Sequence, residues 1–224
     1  MAKAPREKMV KTRLARSLPP AAVTELYRCL LFDTIALALS IDHVDVVLMC
    51  PSYDVEELGC AVGYSVPVVP QNGNGLAAGL TSVFSTFASA GRRRVIAFNS
   101  DSPHLPPSVL TRAFDSLATC DLVIGPSHDG GYYLVGATAF HPTLFMTDSL
   151  GTADALGALL AQSRSLGLSF HLTDTFYDID VPEDLSRVAA ELQFDPARAP
   201  RTAKWLSECN RTGAAGLHQR TRGS

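Results

Sequence analysis

Long apolar runs are missing from these 224 residues: no stretch approaches 18 uninterrupted apolar side chains, which excludes a membrane-spanning helix. A secretory signal pattern is missing as well. The five cysteines, Cys29, Cys50, Cys60, Cys120 and Cys209, are an odd number at wide spacings and include no CxxC pair. That excludes a disulfide framework or a cysteine zinc site, and the expectation is a cytoplasmic protein with buried, reduced thiols. Neither a P-loop nor a G-x-G-x-x-G pattern occurs, so neither glycine-rich phosphate loop is available. No internal repeat is apparent. Lysine is scarce, and three of its four occurrences, Lys3, Lys8 and Lys11, fall in the first eleven residues.

What is present is a globular composition, with 46% hydrophobic and 18% charged residues, 16 Gly and 14 Pro. The formal charge of −3 hides an asymmetry. Residues 1–16 hold six bases and one acid, whereas the remainder holds thirteen bases and twenty-one acids. An acidic body argues against general nucleic-acid binding, while a short basic head suits a compact anion such as phosphate. A basic presequence is the competing reading of that head, but Pro5 and Glu7 fit it poorly.

Apolar periodicity then gives an order of elements. A helix begins at Pro19, and strands are expected at Val44–Pro51, Val66–Val69, Arg94–Ser100, Asp121–Ser127, Tyr132–Thr138 and Leu168–Leu172. Helices fall between them at Val55–Ala61, Leu76–Ala90, Pro106–Leu117, Thr152–Leu166 and Glu183–Leu192. Alternation of strand and helix requires crossovers, hence an α/β domain with a mostly parallel, mixed sheet. The two strands joined by His128–Gly131 introduce one antiparallel element. Residues 196–208 suit a terminal helix, and 209–224, with three glycines, a loose tail. Only Met1–Ala4 precede the basic head, too few for the central first strand of such a sheet, and the expectation is a gene product that begins upstream.

In open α/β sheets ligands bind beyond the carboxyl ends of strands. Asn99–Pro106, NSDSPHLP, follows a buried strand, so Asp101 either binds Mg²⁺ or caps the next turn. At strand spacing Asp178 and Asp180 in YDIDVPEDL share a face, and two like-directed carboxylates call for a cation or hydrogen bonds. Glu183 and Asp184 suit the first turn of a helix. In GPSHDGGYYLVG, Gly130 and Gly131 let a ligand approach the chain and Asp129 can accept sugar hydroxyls, although Asp-Gly also makes tight turns for local reasons. His128 is a loop histidine or a base, and Tyr132 and Tyr133 divide between core and pocket. Lys11 and Arg13, before the first helix, can neutralise a di- or triphosphate.

Taken in order, AKAP…VKTRL, SDSPHLP, GPSHDGGYYLVG and YDIDVPEDL make the chain similar, over about residues 1–192, to a bacterial family of nucleotide-diphospho-sugar-transferase-like proteins. Some members are named as arsenosugar-biosynthesis glycosyltransferases. The resemblance implies a GT-A-type fold, here one three-layer αβα domain over 1–208, shared with the molybdenum-cofactor and 2-phospho-lactate guanylyltransferases. It also implies Lys11, Arg13, Gln71, Gly73, Ser100, Gly130 and Gly131 as nucleotide-binding residues, and Asp101, Asp178 and Asp180 at the Mg²⁺ (or Mn²⁺) site. Asp101 and Asp129 would serve catalysis, with Asp129 to Tyr133 on the acceptor side. The sequence departs from the family at Gly75 and Gly79, where an acid and an arginine are usual, and at Leu150-Gly151-Thr152, usually Trp-Ser-Thr.

Three functions follow as expectations. The first is an Mg²⁺-dependent transferase that moves a sugar from a nucleotide sugar to a small acceptor. The second is a nucleotidyltransferase that joins an NTP to a phosphorylated small molecule and releases pyrophosphate. The third is a catalytically degenerate nucleotide-binding protein. The expected partners are small molecules, without nucleic acid or membrane and with a homodimer left open.

Overall fold

The computed structural model describes residues 1–146 and 154–212, and among these lie six strands. They are β1 (Leu48–Pro51), β2 (Val68–Gln71), β3 (Val95–Phe98), β4 (Leu122–Pro126), β5 (Tyr132–Ala137) and β6 (Phe170–Leu172). Between and around them run α1 (Pro20–Leu39), α2 (Val55–Ala61), α3 (Gly75–Ser89), α4 (Pro107–Ser116), α5 (Ala155–Ser165), α6 (Pro182–Phe194) and α7 (Pro200–Thr212). None of these helices is long and apolar enough to cross a membrane.

The chain gathers into two compact units, each assembled from separated segments. All six strands and helices α2 to α5 lie in the first, which comprises Met1–Ala4, Ala38–Asn99 and Pro106–Tyr177. In it β1 and β2 pair in parallel, and a second sheet has the order β3-β5-β4-β6. There β5 runs against both β3 and β4, while β4 and β6 are parallel, so three of four strands share a direction. This is the expected mixed sheet with one inserted antiparallel strand. Its position between β3 and β4 dictates Gly136: a Cβ there would lie 2.6 Å from Val123 Cγ1 and 2.9 Å from Ile96 Cγ1. The core of this unit includes Leu122, Ile124, Val135, Leu144 and Leu159, with Phe84 stacked on Phe145 at 5.4 Å.

Met1–Ala4 form no strand but link the two sheets. The Ala2 amide donates to Met49 O on β1 at 3.0 Å, and the Met1 amino group donates to Phe98 O on β3 at 2.7 Å. Asp54, buried at the start of α2, accepts the Ala4 amide at 3.1 Å.

The second unit comprises Pro5–Leu37, Ser100–Leu105 and Asp178–Ser224, and so contains most of α1, with α6 and α7. Leucines at 26, 30 and 31 bury α1, and Leu185, Val188 and Leu192 give α6 its apolar stripe at helical spacing. The buried Asp33 carboxylate on α1 accepts the Arg201 and Thr202 amides at 3.3 and 2.8 Å, satisfying donors that the first turn of α7 leaves open.

Four expected elements differ. Val44–Val47 stay outside β1, and β2 starts two residues later than expected, because the parallel register pairs Leu48 with Val68. The segment Tyr177–Val181 is not a strand, so strand alternation does not govern Asp178 and Asp180. Helix α7 runs through 209–212, four residues past the expected boundary of the tail. Thr152, the expected start of a helix, and Leu150-Gly151-Thr152 lie outside the described residues, as do 213–224.

Candidate functional site

The richest cluster of charge belongs to the second unit and joins three distant parts of the sequence. The Lys11 ammonium lies 2.5 Å from Asp101 Oδ2 and 3.0 Å from Asp180 Oδ1, and Arg13 Nη1 lies 2.9 Å from Asp180 Oδ2. Lys11 is the enclosed member, its side chain 5% exposed against 66% for Arg13. Burial on its own pulls the Lys11 pKa down, but the Asp101 and Asp180 carboxylates outweigh it and hold the ammonium above the ordinary lysine range. The basic loop is conformationally demanding as well. Lys8 and Lys11 have φ of +64° and +46°, a left-handed region that costs a non-glycine residue about 1 kcal/mol or more.

Local structure fixes the carboxylates. Asp101 follows the end of β3 by three residues, and its backbone carbonyl accepts the Ile179 amide at 3.3 Å. Next to it, the fully buried Ser102 hydroxyl donates to Asp178 Oδ1 at 3.0 Å. Asp180 lies just before α6, where Asp184 reaches back to accept the Asp180 and Val181 amides at 2.9 and 2.8 Å. That is one arm of a capping box, with Pro182 at the favoured first helical position. Asp178 and Asp180 therefore meet different partners: one serves Ser102, the other Lys11 and Arg13. Ser100 is buried, with its hydroxyl 3.1 Å from Tyr27 Oη on α1.

In the first unit, Ser127–Gly131 form the turn between β4 and β5. Asp129 Oδ1 accepts the Ser127 hydroxyl at 2.5 Å and the Gly131 amide at 3.1 Å. Gly130 has φ +87°, and its carbonyl accepts the Leu156 amide of α5 at 3.0 Å. This geometry gives Asp129 a turn-forming role of the kind Asp-Gly sequences supply locally. The His128 amide donates to Phe176 O at 3.0 Å. Tyr133 is the core aromatic: its hydroxyl meets Thr173 Oγ1 at 2.7 Å and donates to Asp174 O, its ring crosses Gly125, and burial pushes its phenol up to about 12. Tyr132 is the less buried of the pair. Also in this unit, Gln71 Nε2 donates to Gly73 O at 3.0 Å, and Gln71 Oε1 stands where a Cβ on Gly79 would approach to 2.8 Å.

The carboxylates can be tested against the divalent cation that the fold family implies. Among the described residues no group of three His, Cys, Asp or Glu side chains converges on one point. Both Asp180 oxygens are engaged by Lys11 and Arg13, and Asp178 Oδ1 by Ser102. Asp101 Oδ1, in contrast, is buried without a hydrogen-bond partner. One carboxylate oxygen suffices for a Mg²⁺ whose other ligands are water and phosphate, so Asp101 fits the ion, whereas Asp180 and Asp178 Oδ1 are engaged by protein donors.

Sequence reasoning missed Ser102, Tyr27 and the backbone grip of Asp184 on Asp180. Ser102 carried a signal, since it adjoins Asp101 in SDSP. Tyr27 carried none.

Residues 34–152 match the profile of a family described as uncharacterized proteins conserved in bacteria, DUF2064. A crystal structure from Desulfovibrio desulfuricans G20, described as a "putative nucleotide-diphospho-sugar transferase", aligns with TM-score 0.87 and 26% identity over 94% of this chain and 93% of its own. CMP:2-keto-3-deoxy-manno-octonic acid synthetase, solved with CTP, aligns with TM-score 0.53 and 10% identity over 74% of this chain and 88% of its own, a likeness of fold alone. The α/β fold is thus of the nucleotide-diphospho-sugar transferase type. A comparison with curated proteins finds no match.

Proposed function

The chain belongs to this bacterial DUF2064 family, and from that premise we propose that it is a nucleotide-using transferase that moves a sugar from a nucleoside-diphosphate donor to a small acceptor. The observation that carries the reading is the cluster in which Lys11 and Arg13 stand with Asp101 and Asp180. The likeness to the Desulfovibrio desulfuricans protein supports it.

In the proposed reaction the bond from the anomeric carbon to the diphosphate oxygen breaks, and the electron pair leaves with the nucleoside diphosphate. An acceptor oxygen bonds to that carbon and gives up its proton. Negative charge grows on the diphosphate, so cations aimed at it stabilise the transition state more than the ground state. Lys11 supplies a point charge and Arg13 a planar fork. Asp101 would hold Mg²⁺ or Mn²⁺, which when bound supplies Lewis-acid neutralisation of phosphate oxygens. Asp180 orients the two bases, and Asp178, through Ser102, steadies the loop that bears Asp101. Gln71, Gly73 and Ser100 on the nucleotide side, and Asp129, Gly130 and Gly131 on the acceptor side, enter the proposal on resemblance. Asp129 enters as a residue that shapes its loop.

One observation favours nucleotidyl transfer as a second reading. Asp101 stands between Ser100 and Ser102 with no second carboxylate beside it, where many glycosyltransferases carry an acidic pair. Product analysis separates the two. Release of UDP, GDP or ADP from a sugar nucleotide supports the first, and pyrophosphate released from an NTP supports the second. A thermal-shift screen of the same compounds with and without Mg²⁺ accompanies it, since a ligand at a hundred times its Kd stabilises the native state by about 2.7 kcal/mol. Stabilisation without turnover would leave a binding protein, and no stabilisation by any nucleotide would refute both readings.

A further inference from the structure

The carboxylate pair nearest the proposed metal position already holds a cation. Lys11 contributes one positive charge to Asp101 and Asp180 together, and Arg13 a second to Asp180, so the four side chains are neutral as they stand. A divalent ion at Asp101 would put two further positive charges beside an ammonium 2.5 Å from the same carboxylate. Like charges at such separations repel strongly in a partly buried site. The two bases also differ in kind. Lysine is a point charge on a flexible stem that can turn to a new anion, whereas the Arg13 guanidinium is a planar fork on an exposed side chain.

We propose that Lys11 is the resident cation of the Asp101–Asp180 pair, and that it and a divalent metal ion exclude one another there. Arrival of metal with a diphosphate then moves the lysine from carboxylate to phosphate. The inference rests on the phosphate and metal reading above, and adds to it a competition that Lys11 sets. Metal alone meets an occupied pair and binds weakly. Metal with an anion that accepts the lysine binds well, and by linkage the anion gains as much from the metal as the metal gains from the anion.

The test is Mn²⁺ titrated into the full chain without nucleotide, with free Mn²⁺ read by electron paramagnetic resonance. Lys11→Met is expected to bind Mn²⁺ at least about tenfold more tightly than the wild type, because Asp101 loses its counter-ion and Asp180 keeps only Arg13; Lys11→Arg, which keeps the charge, is expected to stay near wild type. Unchanged or weaker Mn²⁺ binding by a folded Lys11→Met protein overturns the proposal. Should Lys11→Met not fold, a crystal structure of the wild type with Mn²⁺ decides. Lys11 Nζ drawn away from Asp101 supports the exchange, and Nζ still on both carboxylates beside bound metal overturns it. Because this titration contains no nucleotide, its failure is distinct from failure of the nucleotide screen, which would refute the transferase reading while leaving the Mn²⁺ result standing.

Discussion

Asp184 joins fold to site in one side chain, so Asp184→Ala should damage both. Its Oδ2 accepts the amides of Asp180 and Val181 at 2.9 and 2.8 Å, just ahead of α6. Loss of a capping acceptor costs about 1 kcal/mol. Loss of a negative charge from the first helical turn costs about 0.3 to 1 kcal/mol more. Asp184 is only half-buried, so water recovers part of the loss, and the net expectation is about 1 to 2 kcal/mol. For a chain of this length that lowers Tm by about 2 to 8 °C. Asp180 would also lose the anchor of its amide, so affinity for a nucleoside diphosphate should weaken even where the protein is fully folded. Asp184→Asn keeps an acceptor and should recover more than half of the stability. Urea denaturation followed by circular dichroism, with calorimetric nucleotide titration below the transition, measures both effects. An Asp184→Ala protein that melts with the wild type and binds equally would show that α6 and Asp180 are held by something else.

His104, buried beside the Arg187 and Arg198 guanidinium groups, is pulled down to about 4, chiefly by burial and then by those charges. With an unfolded value near 6.5, the unfolded chain takes up a proton first, so His104 erodes stability as pH falls from about 6.5 to 4, by about 3 kcal/mol at most. His104→Gln should flatten that part of the stability curve, and an unaltered curve from urea melts at pH 7, 5.5 and 4 would contradict the assignment. Gly136→Ala places a methyl group against Val123 and Ile96 in the middle of a sheet and should cost about 1 to 3 kcal/mol. Thermal melting tests this, and a neutral substitution would mean that β3 or β4 can shift outward.

Much of the fold was legible because it follows from local pattern. Val55–Ala61 is helical as expected, and the apolar runs at 95–98 and 122–126 are strands within the expected limits. Boundaries failed where tertiary pairing decides them: Val44–Val47 carry three valines around the exposed Asp45, and the register with β2 begins only at Leu48. Asp178 and Asp180 show a deeper failure. Their spacing implies a shared face only if the segment is a strand, and it lies instead in the irregular approach to α6. At the site, the residue types were legible but their partners were not. Nothing local in the sequence says that Lys11 meets Asp101, 90 residues away, and Asp180, 169 away. Asp129 was open to a local or a chemical reading, and its bonds to Ser127 and Gly131 express the local one.

The chain passes between its two compact units five times, and the passages are unevenly spaced. The strand-bearing unit draws on Ala38–Asn99 and Pro106–Tyr177, nearly consecutive stretches, so synthesis can deliver almost all of it before the last part of the chain exists. The other unit needs Pro5–Leu37 to wait for Asp178 and the helices α6 and α7. Closing so long a loop is entropically dear and belongs late in folding. A ribosome that has reached Tyr177 has therefore already made Lys11 and Asp101, yet Asp180 is still to come and the charge cluster cannot close. In refolding followed by pulse-labelled hydrogen exchange, the amides of Val123 and Val135 should gain protection before those of Leu26 and Val188. Simultaneous protection would mean that the charge cluster assembles together with the sheet and not after it.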